Sequence, residues 1–117
     1  MKLPTSWLKL GSGVSSFSGT GTGVAMSAPC QPPDVPFVLL VGEMSPDLYH
    51  LAMRAEAIVS NSKSLISHLA ILSRSNQIPT VMGVETLQFG PTRFGDNRVL
   101  HGEHSLRVSG SEVYLGE

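Results

Sequence analysis

The residues of this chain whose types and order could do chemistry lie between Ala57 and Gly83, in AIVSNSKSLISHLAILSRSNQIPTVMG. At its centre is Ser67-His68, after a serine-rich loop and at the head of an apolar run in which Leu65, Leu69 and Leu72, with Ile66 and Ala70 beside them, have helical spacing. A helix starting from that loop puts His68 in its first turn or so, where unpaired backbone N–H groups and the helix dipole favour an anion. A neutral imidazole is a nucleophile that can carry a transferred group, and negative charge arriving on the ring would meet a positive field. The polar residues leading up to it, Ser60, Lys63, Ser64 and Ser67, are candidate phosphate ligands, the hydroxyls as donors and the ammonium through a charge-assisted hydrogen bond. The same serines suit helix caps and loop hydrogen bonds, and Lys63 reads equally as a solvated loop lysine. Taken alone, a histidine early in a helix is more often an ordinary surface residue than a catalyst.

The elements that must position this loop can be read around it. Phe37-Val38-Leu39-Leu40-Val41 is a short, continuously apolar run bounded by Pro36 and Gly42, which predicts a strand buried on both faces. Ser45 as N-cap, Pro46 at the first helical position and Asp47 in the first turn predict a helix, with Leu48, Leu51, Ala52 and Ala55 as its buried stripe and Tyr49, His50, Arg54 and Glu56 mostly outside. Ala57-Ile58-Val59 is then a short strand, the second helix runs to about Ser75 with Asn76 as a left-handed C-cap, and Ile78 to Met82 is a strand ending at Gly83. This strand, helix, strand, helix, strand order predicts a small parallel or mixed sheet. Upstream, Thr20 to Met26 reads as a strand whose glycines permit close backbone approach, and Gln31 to Pro36 as an exposed connection. Downstream, Gly90-Pro91 and Gly95-Asp96-Asn97 are turn signals between strand candidates Arg98 to Leu100, Leu106 to Val108 and Val113 to Leu115.

The central segment resembles the mobile, phosphohistidine "swivelling" domain of the phosphoenolpyruvate (PEP)-utilising enzymes, the family of pyruvate phosphate dikinase, PEP synthase, enzyme I of the sugar phosphotransferase system and the rifampicin phosphotransferases. In that family a strand leads through T-x-x-G-G to a Ser-His-Ala-Ala-Ile helix and on to I-P-A-V-x-G. Here Ser60 stands at the threonine, Ser67-His68-Leu69-Ala70-Ile71 at the phosphohistidine motif and Ile78 to Gly83 at the closing strand. VLLVGEMSPDL, Val38 to Leu48, is similar to the family's strand followed by Thr-Pro-Asp, and the early glycines and Val113-Tyr114-Leu115-Gly116 are similar to its two ends. The resemblance implies an α/β fold, a swivelling β/β/α domain in which a small mixed sheet with two main helices packs with a second β layer. It implies one mobile domain over residues 1–117, of which 1–12 are a loosely ordered or variable start. It also implies that His68 accepts a phosphoryl group on Nε2 and passes it to a second site, as a phosphotransferase component not active alone. This domain would bind no cofactor. Mg and ATP or PEP would sit on partner domains, in cis or in trans: an ATP-grasp nucleotide-binding domain, a PEP- or pyruvate-binding barrel, or both.

One departure from the family's pattern bears directly on the site, since its glycine pair is Lys63-Ser64 here and Leu69 replaces a small alanine. Neither Lys63 nor Ser64 permits close backbone approach or positive φ as cheaply as glycine. Two accounts are open: Lys63 and Ser64 replace the lost backbone contacts with a cation and a hydroxyl, or the domain is a degenerate, non-catalytic interaction module that keeps the fold.

Composition narrows the classes further. Lys and Arg number 8 against 9 Asp and Glu, a net charge of -1, which gives no field for nucleic acid or an anionic membrane. The apolar runs fall far short of the ~20 residues of a membrane span. The start has no secretory pattern and Cys30 is the single cysteine, so a cytoplasmic protein is expected. No GxxxxGK[ST] loop is present, and Gly19-x-Gly21-x-Gly23 opens no helix as a dinucleotide loop would. His50, His101 and His104 lack partners at ligand spacing beyond a weak His101-x-x-His104 with Glu103, so no metal site is expected. Cys30 has no base near it in sequence and reads as a bystander.

Overall fold

The computed structural model describes residues 8–27, 31, 33–42, 48–62, 68–88, 93–94, 97–98 and 104–116. In chain order they form β1 (Leu8–Ser12), β2 (Val14–Phe17), β3 (Thr20–Ser27), β4 (Phe37–Val41), α1 (Tyr49–Ala52), β5 (Ala57–Ser60), α2 (His68–Asn76), β6 (Thr80–Met82), β7 (Leu87–Gln88), β8 (Arg93–Phe94), β9 (Asn97–Arg98), β10 (Ser105–Ser109) and β11 (Glu112–Leu115).

An 8-stranded mixed sheet in the order β1-β11-β10-β3-β4-β5-β6-β2 carries the fold, with β7-β8-β9 as a small 3-stranded antiparallel sheet beside it. Strands β3, β4, β5 and β6 are parallel, in the register Met26↔Leu39, Leu39↔Ile58 and Ile58↔Thr80. The remaining pairs of the large sheet are antiparallel. Its two edge strands are consecutive in the chain, separated by Gly13 alone. A flat sheet of this width would hold its edges roughly 33 Å apart at ~4.8 Å per strand, whereas Ser12 and Val14 cannot be more than about 7 Å apart. The sheet therefore curls until its edges nearly meet at Gly13, whose N–H donates to Ser111 O at 2.9 Å and so continues the β1–β11 pairing up to the junction.

Curling gives the sheet an inside and an outside, and the period-2 alternation of each strand fills both. Val38 and Leu40 of β4, Ala57 and Val59 of β5, Val81, Leu106, Val108 and Val113 face one cluster inside the curl. Phe37, Leu39, Val41, Ile58 and Met82 face the other, which Leu51 and Ala52 of α1 and Leu69 and Ala70 of α2 cover. This explains why Phe37–Val41 is apolar at every position: all five residues are buried. Close approach of β3 to the chain entering β4 requires glycine, because a Cβ on Gly23 would stand 2.6 Å from Phe37 Cα.

Several expectations are corrected here. The second β layer is the antiparallel wall of the same continuous sheet, which the long-range pairing of β1 with β11 extends. Of the start over residues 1–12, the described Leu8–Ser12 form β1, which pairs with β11 and buries Leu10. Helix α1 has one turn only: Arg54 and Ala55 N–H donate to Leu51 and Ala52 O, a tightening that turns the chain into β5, where Glu56 N–H donates to Phe37 O at 2.8 Å. Asn76 remains helical, with Nδ2 donating to Leu72 O, and Gln77 takes the left-handed conformation at φ 55. Ser45 to Asp47, Cys30, Gly90-Pro91, Gly95-Asp96, Val99-Leu100, His101 and Glu103 lie outside the described residues.

Candidate functional site

Parallel pairing brings the carboxyl ends of β4, β5 and β6 to one end of the sheet, where ligands bind in open α/β folds. Gly42, Ser60 and Gly83 follow or end these strands, and the segment leading to His68 leaves from between them. Ser60 is fully buried. Its hydroxyl donates to Gly42 O at 2.9 Å and accepts from Ser62 N–H at 3.0 Å. Ser62 O in turn accepts from Gly83 N–H at 2.7 Å, and Ser60 O from Val84 N–H at 3.1 Å. Residues 60–62 are thus tied to both neighbouring strand ends.

On the far side of the loop, His68 is the first described residue of α2. Leu69 and Ala70 lie in the core between helix and sheet, while Ile71 and Ser75, three and seven residues on from His68, are exposed. The first turn carries no acidic residue to compete for the positive end of the dipole, and Arg74 stands in the last turn, where a cation is favoured. Fully buried Ser73 donates to Ala70 O at 2.9 Å and bonds Ser16 of β2 at 2.7 Å, which fastens the helix to the edge of the sheet.

Of the residues singled out in the sequence, Ser60 lies at the base of the loop with its single proton committed to Gly42, and His68 opens the helix. Lys63, Ser64, Ser67 and the His68 side chain lie outside the described part. The sequence reading missed Ser62 as a tether and Ser73 as an anchor. A signal for Ser73 was present: it falls on the buried arc of α2 with Leu69 and Ala70. Among the described residues no three His, Cys, Asp or Glu side chains gather as a metal site requires, and no helix is long and apolar enough to cross a membrane.

The family described as PEP-utilising enzyme, mobile domain, matches residues 33–112, a span from the connection before β4 to the first residue of β11 that includes the whole site. That is more than half of the chain, and the chain belongs to this family. No curated protein matches it. Membership fits a phosphoryl carrier role in general and implies partner domains of a PEP-utilising enzyme.

Proposed function

We propose that this domain is a phosphoryl carrier in which His68 accepts a phosphoryl group from an ATP- or PEP-using partner and hands it to a second site. The observation that carries the reading is the position of His68 at the head of α2, beyond the carboxyl ends of the parallel strands, in a chain of the mobile-domain family. The Nε2 lone pair forms the N–P bond as the bond to the donor's leaving group breaks, the leaving group keeping the electron pair. Little covalent chemistry is asked of the protein; placement and charge stabilisation decide the rate. Lys63, Ser64 and Ser67 supply donors to the phosphoryl oxygens from the loop, while Mg and the nucleotide or PEP belong to an ATP-grasp domain or a barrel, between which the domain swivels. The domain works as a phosphotransferase component and is inactive alone. Intact-mass measurement after incubation with such a partner and Mg-ATP, or with PEP, tests this: one added phosphoryl group is expected with the partner and none with Mg-ATP alone.

Lys63-Ser64 in place of the family's glycine pair favours a second reading, a non-catalytic interaction module that keeps the fold without phosphotransfer. Absence of any histidine-linked phosphate with every loading partner would favour it.

A further inference from the structure

We infer that Ser60 is a positioning residue for the phosphoacceptor loop, acting through the main chain rather than by touching the phosphoryl group. This rests on the reading of His68 as the acceptor. A serine hydroxyl has one proton. That of Ser60 goes to Gly42 O, its oxygen takes Ser62 N–H, and the residue is fully buried. Together with Gly83 N–H to Ser62 O and Val84 N–H to Ser60 O, these bonds lace residues 60–62 to the ends of β4 and β6. Within this lacing the hydroxyl is the one side-chain group, so it is the part a substitution can remove without rerouting the backbone.

Removing it takes this partner from a part-buried carbonyl and a part-buried N–H at once. Unpaired polar groups of that kind favour a rearrangement that returns them to water. Of the two groups, Gly42 O is held at the end of a strand in the middle of the sheet, whereas Ser62 N–H lies past the end of β5, where Gly83 N–H to Ser62 O is the remaining tie. A turn of Ser62 toward solvent moves the start of the segment that reaches His68 six residues later. Phosphoryl transfer responds steeply to such a shift, a misplacement of ~1 Å costing about 10²-fold in rate in the general case. Ser60 thus links two strand ends to the geometry of the acceptor without entering the reaction.

The test uses the full chain and phosphoramidate, a small donor whose P–N bond breaks with loss of ammonia as the imidazole N–P bond forms. Labelling of His68 is followed by peptide mass spectrometry, with exposed His50 as the internal reference. Amide exchange at Ser62 is measured on the unphosphorylated protein. In Ser60→Ala the His68-to-His50 labelling ratio should fall by about fivefold or more, as misplacement predicts, and Ser62 exchange should rise. Ser60→Thr, which keeps the hydroxyl, should restore both. A smaller change in a folded Ser60→Ala protein, or a Ser60→Thr protein that behaves like it, would overturn the inference. Should Ser60→Ala fail to fold, the wild type decides: a slowly exchanging Ser62 amide supports the tether and a freely exchanging one refutes it. Wild-type protein labelled at His50 but not at His68 would instead remove the acceptor reading itself.

Discussion

Ser16 of β2 and Ser73 of α2 share a hydrogen bond of 2.7 Å across 57 positions of sequence, and it fastens the helix that His68 opens to the edge strand of the sheet. Because Ser73 also donates to Ala70 O at 2.9 Å, its proton is committed and Ser16 is the donor of the pair. Ser73→Ala should therefore cost about 1 kcal/mol, since it leaves Ser16 without its acceptor, and Ser16→Ala should cost less because Ser73 keeps Ala70. Urea unfolding of both single variants and the double variant checks this. A double-variant loss equal to the sum of the single losses would show that the two hydroxyls are not coupled.

Gln77 occupies the left-handed region at φ 55, where a side chain is disfavoured and glycine is not. Gln77→Gly should stabilise the protein by roughly 0.5–1 kcal/mol despite the greater freedom glycine gives the unfolded chain, and Gln77→Val should destabilise it. Thermal unfolding of the two variants should thus shift in opposite directions. A lower melting temperature for Gln77→Gly would contradict this account of the helix end.

What could be read from the sequence was what is local. Phe37–Val41, bounded by proline and glycine, Ala57–Ser60 and the apolar spacing of α2 each carry their signal within a few residues. The first strands do not, because Leu8–Phe17 mixes glycine and serine with isolated apolar residues and becomes strand by pairing with β11 and β6, which are remote in sequence. Curling of the sheet follows from those two pairings and was equally hidden. The sequence favours Asn76 for the left-handed position, since asparagine tolerates it better, yet the helix runs through Asn76 and leaves the turn to Gln77. Ser60 read as a polar loop residue; only its burial and its bond to Gly42 show which way its proton goes.

At the other side of the sheet, Lys9 of β1 pairs with Glu112 of β11 at 2.9 Å, and Tyr114 OH donates to the same carboxylate at 3.1 Å. The hydrogen bond from Lys9, then that from Tyr114, holds the Glu112 carboxyl below its ordinary range, and Glu112 raises both Lys9 and Tyr114. Glu112's contribution to stability is complete above the ordinary carboxylate range and is lost as pH falls through its lowered value. Those of Lys9 and Tyr114 are complete below their ordinary values and are lost as pH rises through the raised ones. The tether on β1 is therefore strongest around neutral pH and weakens with salt, as exposed pairs do. Titration of the Glu112 carboxyl by NMR should show a value that Lys9→Met returns toward the ordinary range. An unchanged value in that variant would mean that the pair does not form in solution.

Lys63 and Ser64 stand where the family has two glycines. If they replace the backbone contacts of that pair, Lys63→Met should slow loading of His68, and Lys63→Gly with Ser64→Gly should load no faster than the wild type. The comparison requires one loading partner and fixed ionic strength, because a lysine's pull on phosphate falls with salt. Faster loading of the double-glycine variant would show that the present loop hinders transfer and would favour the interaction-module reading.

The central claim is that His68 carries the phosphoryl group, and the most direct measurement is radiolabelling with a loading partner, comparing the wild type with His68→Ala. An acid-labile, base-stable label on the wild type that is absent from a folded His68→Ala protein is the result expected. The same label persisting on His68→Ala, or no label on the wild type with any partner of the PEP-utilising type, would contradict it.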